Sequence, residues 1–244
     1  MSPLIVLAAG SLRPALTPLL AHYRAVTGLP VRVDFGPAGL LRQRIEAGAP
    51  CDLFASANTE HAARLRAQGL AFDVRPFARN RLCLTARRGA RTDHADWLAL
   101  LGNPELAIGT STPGCDPSGD YAWQLFDTAA SLLPAGAGDL KRRARPLVGG
   151  TDTLPVPAGE LAAGWILRQG LADVFIGYAH YAAKLEQDPQ LRVVAIPDEY
   201  NVFATYALAL RSPRAGALAD FILSAPGRHF LRKAGFLAIG DPIR

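Results

Sequence analysis

Residues 4–11 read Leu4-Ile5-Val6-Leu7-Ala8-Ala9-Gly10-Ser11, and residues 12–23 continue as LRPALTPLLAHY. The first six residues are an unbroken apolar run, the pattern of a strand buried on both faces. The later residues place apolar side chains at helical spacing. The chain moves from one to the other through Ala8, Ala9, Gly10 and Ser11. Small residues let a ligand come close to the backbone. The helix that follows presents N–H groups without intrahelical partners and a partial positive charge. Such a junction makes an anion site that needs no charged side chain.

The same junction recurs along the chain. Strand patterns are expected at Leu4–Ala9, Val31–Phe35, Asp52–Ala55, Arg81–Ala86, Leu106–Gly109, Val174–Tyr178, Val193–Ile196 and Phe203–Leu210. Helical spacing covers Pro14–Val26, Leu40–Ala47, Glu60–Gln68, Tyr121–Leu132, Ala158–Gln169, Gly216–Ser224 and Pro226–Ala234. This alternation predicts an α/β fold with a mostly parallel sheet. Pro134–Gly138 and Gly149–Pro157 read as loops. Strand exits made of small or polar residues stand at Ala9–Ser11, Phe35–Gly39, Gly109–Gly119 and Gly177–Tyr178. In open α/β sheets ligands bind beyond the carboxyl ends of the strands. Any α/β protein also needs short strand-to-helix turns, so the pattern alone names no ligand.

Composition narrows the class. Of 244 residues, 50% are hydrophobic and 19% charged, the balance of a packed globular protein. The longest apolar runs fall far short of the ~20 residues that a membrane-spanning helix needs. Cys51, Cys83 and Cys115 are dispersed and odd in number, which predicts neither a disulfide framework nor a zinc site. The net charge is +5. Its one dense run, Lys141-Arg142-Arg143-Ala144-Arg145, reads as a solvated helix end or loop. No nucleic-acid module accompanies it.

Several stretches resemble the molybdate-binding solute-binding proteins of ABC importers. They are LAAGSL near the start, RQRIEAGAPCDLFASAN at Arg42–Asn58, DPSGDYAWQLF at Asp116–Phe126, DVFIGYAHYAAK at Asp173–Lys184 and PGRHFLRKAGF at Pro226–Phe236. The resemblance implies a type II periplasmic-binding-protein fold, in which two α/β lobes close like a hinge on a ligand cleft. It places lobe one at residues 1–79 and 200–244 and lobe two at 80–199, with crossovers near Arg79–Arg81 and Glu199–Phe203. It implies a tetrahedral oxyanion as ligand, molybdate or tungstate, held by hydroxyls and backbone N–H groups. No further cofactor is implied. The implied partner is a membrane permease, with no nucleic acid, and the protein is expected to be a monomer.

Carried over residue by residue, the ligand donors are Gly10 and Ser11 after the first strand, and Ser118 and Gly119 in the Pro117-Ser118-Gly119 turn. Tyr178 supplies a phenol, and Val156 lies near a backbone-donor position. The family's serine-rich turn after the second strand is replaced by Gly36-Pro37-Ala38-Gly39. Ala38 and Gly39 keep backbone donors, but the hydroxyl is missing and Pro37 has no N–H. The shortfall implies a weaker site, a substitute donor or a different ligand. Asp116 reads as a helix N-cap or, if the ligand is a metal centre, as a metal ligand, since archaeal tungstate and molybdate binders have a similar turn.

Two other functions compete. A serine nucleophile would need a histidine base, and of His22, His61, His94, His180 and His229 only His180 follows a site residue. There is no G-x-S-x-G elbow and no phosphate-binding P-loop. A stand-alone ligand sensor is the second. The resemblance implies a periplasmic location. Met1-Ser2-Pro3 runs into the first strand without a leader's apolar region, which leaves a cytoplasmic location open.

Overall fold

In a computed structural model, residues 2–134 and 139–240 are described. The chain forms β1 (Leu4–Ala9), α1 (Arg13–Thr27), β2 (Val31–Gly36), α2 (Ala38–Glu46), β3 (Leu53–Ser56), α3 (Thr59–Ala67) and β4 (Asp73–Arg87). It continues with α4 (Trp97–Gly102), β5 (Ile108–Ser111), α5 (Pro117–Leu132), α6 (Leu140–Arg143), β6 (Arg145–Val148), α7 (Ala162–Arg168), β7 (Val174–Tyr178), α8 (Ala182–Leu185) and β8 (Leu191–Ala195). It ends with β9 (Phe203–Leu210), α9 (Gly216–Leu223), α10 (Ala225–Lys233) and β10 (Leu237–Ala238). Of the expected Pro134–Gly138 loop, residues 135–138 lie outside the described residues, as does Met1.

Two compact units divide the chain, with passages between Asn80 and Arg81 and between Phe203 and Ala204. In the first unit the strand order is β2-β1-β3-β9. β1 runs parallel to β2, with Ala8 opposite Phe35 and Ala9 opposite Gly36. It also runs parallel to β3, with Ala8 opposite Ala55. β9 is antiparallel to β3, and β10 is antiparallel to the first part of β4. On α1, buried Ala15, Leu16, Leu19, Leu20 and Tyr23 form one stripe at helical spacing. Each fully buried leucine there contributes roughly 1.5–3 kcal/mol.

In the second unit β5 lies parallel to both β6 and β7, and the second part of β4 is antiparallel to β7 and β8. Val148, Ile166, Leu167, Phe175 and Leu191 form a core against α7. Asn201 completes this unit's edge. Its carboxamide accepts from Leu82 N at 3.0 Å and donates to Leu82 O at 3.0 Å and Ile196 O at 3.2 Å.

The expected α/β alternation is present, but the sheet pairing is not mostly parallel. β4, β8, β9 and β10 all pair antiparallel. Two of them, β4 and β9, carry the chain between units. The Lys141–Arg145 run is only in part solvated. Arg143 donates to the carbonyls of Leu101, Asn103 and Leu106, and Lys141 pairs with Asp127 at 2.6 Å. All three cysteines are free.

Candidate anion-binding site

In the first unit, β1 leads through a tight turn, Gly10–Leu12, into α1. β2 leads through Pro37 into α2. Neither the turn nor either helix has a side-chain cap. By contrast Asn58 caps α3 and Asp116 caps α5. Because Ala9 faces Gly36 in the parallel register, these two uncapped starts stand side by side. A Cβ added to Gly10 would lie 3.9 Å from Gly36 O, so the two turns approach closely. At α1 the Arg13 N–H donates to Gly10 O and Pro14 has no N–H, whereas the first amides of α2 have no intrahelical acceptor and no side-chain cap from Pro37.

Ser11, Gly10, Ala38 and Gly39 are thus brought together on one edge. The Ser11 hydroxyl lies 3.0 Å from the Tyr206 hydroxyl. Tyr206 is fully buried and packs edge-on against Phe77 and Phe236, at 6.2 and 5.2 Å between centroids. Sequence reasoning missed Tyr206, because it sits within an apolar strand and reads as core. It also missed Arg13, whose guanidinium lies 4.5 Å over the Phe35 ring and brings a positive charge to these strand ends. Asn58, on the neighbouring β3 exit, was missed as well. The polar cluster Ser56-Ala57-Asn58 after an apolar strand was the available signal.

In the second unit, Asp116 caps α5, its carboxylate accepting from Ser118 N at 3.1 Å. Gly119 N donates to Asp116 O at 2.9 Å. Both expected backbone donors therefore have acceptors within their own turn. Gly119 is glycine for a packing reason: a Cβ there would fall 2.5 Å from Ser111 O and 2.6 Å from Pro113 N. Burial pushes the Asp116 carboxyl up to about 6, reinforced by the charge of Asp120 and opposed by bonds from Ser118 N and the Ser111 hydroxyl. Asp120 accepts from Gly114 N at 2.8 Å. Among the described residues no group of three or more His, Cys, Asp or Glu side chains is placed to hold a metal.

Tyr178 ends β7 opposite Leu82. Its ring meets Tyr121 edge-on at 6.5 Å and His180 at 6.0 Å. Val156 lies in the loop before α7, and its side chain packs on the α7 core. The helix begins at Ala162 and not at Ala158, so Val156 is further from a helix start than expected. Gly159, at φ 86°, interrupts the helical backbone.

The family profile of bacterial extracellular solute-binding proteins matches residues 4–237. The chain belongs to this family. This solute-binding protein is 44% identical over 238 residues to an uncharacterized protein of Pasteurella multocida, covering 95% of its own chain and 97% of that one. Among solved structures it is similar to the Azotobacter vinelandii periplasmic molybdate-binding protein, at 20% identity and TM-score 0.73, covering 96% and 98% of the two chains. It is also similar to the sulfate-binding protein of Mycobacterium tuberculosis, at 20% identity and TM-score 0.74, covering 99% and 88%. These likenesses bear out the two-lobe periplasmic-binding-protein fold. Among the described residues no helix of the solute-binding protein is long and apolar enough to cross a membrane.

Proposed function

We propose that this solute-binding protein captures a tetrahedral oxyanion, molybdate or tungstate, for the permease of an ABC importer, acting as a periplasmic monomer without catalysis. The observation that carries the reading is the pair of uncapped starts that follow adjacent parallel strands, the Gly10–Leu12 turn and α2, with the Ser11 hydroxyl in the first of them. Such amides bind a dianion through preorganised donors and the helix dipoles. A hydrogen bond to a charged group contributes roughly 1.5–3 kcal/mol. Micromolar affinity needs about −8 kcal/mol net, so a handful of such bonds suffices after ordering costs. The fold neighbours named for molybdate and sulfate support an oxyanion as the class.

The proposed donors of the first unit are Gly10, Ser11 and the first α2 amides, and those of the second unit are Ser118 and Tyr178. Calorimetry with molybdate, tungstate, sulfate and phosphate tests this. Ser11→Ala and Tyr178→Phe are each expected to weaken binding of the same anion by about tenfold, the equivalent of one charge-assisted bond. Unchanged affinity in both variants refutes the assignment. A fall in radius of gyration on adding the anion tests the hinge that the resemblance implies.

A further inference from the structure

Alanine at position 38 removes a hydroxyl from the second strand exit, so the first unit needs another donor to hold an oxyanion from more than one side. The third strand exit carries one. Asn58 is 5% exposed. Its Oδ1 accepts from the Ser56 hydroxyl at 3.0 Å and from His61 N at 3.1 Å. Its own N–H donates to Ser56 Oγ at 3.2 Å. Of the two carboxamide atoms only the oxygen can accept from a backbone N–H, so the bond from His61 settles which way round the carboxamide stands. The amide plane is therefore fixed, with Oδ1 toward α3 and Nδ2 turned away from it. Among the described residues no acceptor is bonded to Nδ2. The carboxamide thus keeps two N–H donors that the described residues do not use.

The register places this group. Ala8 stands opposite Phe35 on one side and opposite Ala55 on the other. Three residues further along each chain come Ser11, Ala38 and Asn58. The three lie just past the ends of neighbouring strands about 4.8 Å apart, with β1 in the middle. An anion resting against Ser11 and the first amides of α2 thus has Asn58 on its other flank.

We infer that Asn58 is the substitute donor of the first unit, its Nδ2 group binding the oxyanion on the flank opposite α2 and favouring the larger dianions. This rests on the oxyanion reading above. Ser56 and His61 act as positioning residues that hold the carboxamide in place. A donor carried on a rigid third strand is set at a fixed span from Ala38. A wide anion bridges that span and a narrow one of equal charge does not, so Asn58 discriminates by size.

The test is Asn58→Ser, which keeps an N-cap oxygen for α3 while removing the NH2 group. Its affinity for molybdate is expected to fall about tenfold, and its affinity for sulfate by less, with a melting curve close to that of the parent. In labelled parent protein, the side-chain NH2 signals that are missing from Asn58→Ser should shift on adding molybdate. This second readout is taken on the parent protein and does not depend on the variant's affinity. Parent-like molybdate affinity in Asn58→Ser, or NH2 signals that ignore molybdate, overturns the inference. If Ser11→Ala has meanwhile lost affinity, the oxyanion reading stands without Asn58. If Ser11→Ala and Tyr178→Phe also bind as the parent does, both fall.

Discussion

The hydroxyls of Ser11 and Tyr206 lie 3.0 Å apart, and this contact ties a surface strand exit to the buried aromatic core of the first unit. Ser11 follows β1, whereas Tyr206 is carried by β9, far along the chain. The bond helps to fix the rotamer of the Ser11 side chain. Tyr206→Phe is expected to weaken anion binding by about two- to fivefold, since only preorganisation is lost, and to lower stability by about 0.5–1.5 kcal/mol. Calorimetry and denaturant unfolding on the one variant separate the two effects.

Gly119→Ala should destabilise the second unit by about 1–3 kcal/mol, the usual cost of forcing atoms into a filled space. Its Cβ would meet backbone atoms of Ser111, Thr112 and Pro113 within 2.7 Å, and backbone cannot step aside as a side-chain tip can. Gly10→Ala is the control. Its nearest contact would be at 3.9 Å, so its melting temperature should stay close to that of the parent.

Asp116 makes stability depend on pH. Its carboxyl is raised from 3.8 to about 6 in the fold, so the folded state holds a proton that the unfolded chain has released. The associated stability is present below pH 3.8 and is lost as pH rises through about 6, at most about 2–3 kcal/mol. His61 works in the opposite direction. Burial, then the Arg42 and Arg64 charges, lower it from 6.5 to about 4, so its contribution is present above 6.5 and lost as pH falls toward 4. Asp116→Asn retains a cap oxygen without the charge. Relative to the parent it should gain stability at pH 7.5 and show little difference at pH 4, read from paired thermal melts.

Asn201→Ala should cost the second unit about 2–4 kcal/mol. It removes three hydrogen bonds and leaves Leu82 N and O without their side-chain partner. Hydrogen exchange at Leu82 N should rise in the variant, while exchange in β1 and β3 should stay as in the parent.

What the sequence disclosed follows from where burial is continuous. Val174–Tyr178 and Phe203–Leu210 are found with the bounds expected of them, because each is an apolar run interrupted only by Gly177 or Thr205. The first half of β4 was not expected. Arg75, Pro76 and Arg79 interrupt its pattern, yet Pro76 is exposed and Arg75 pairs with Asp73 and Asp220 at 2.6 Å. β6 was missed for the same reason, as Arg145 and Pro146 open it. α5 begins at Pro117 and not at Tyr121, since Asp116 caps it and proline is tolerated at a first turn. The uncapped strand exits of the first unit were legible as runs of small residues, although any α/β protein needs such turns. The roles of Tyr206 and Asn58 depend on strand register, which only the fold supplies.

The way the chain divides has a consequence for synthesis. One unit is a single continuous segment, 81–203, while the other needs residues 2–80 together with 204–240. A nascent chain can therefore finish the later segment first. Meanwhile β3 waits for β9, its eventual partner through Phe54 and Ala209. During that interval a buried-type strand lies with one edge open, the condition under which newly made polypeptides self-associate. Chaperone demand at the ribosome should track the delay before residues 204–210 emerge, and slowing translation across the 81–203 segment should lengthen it.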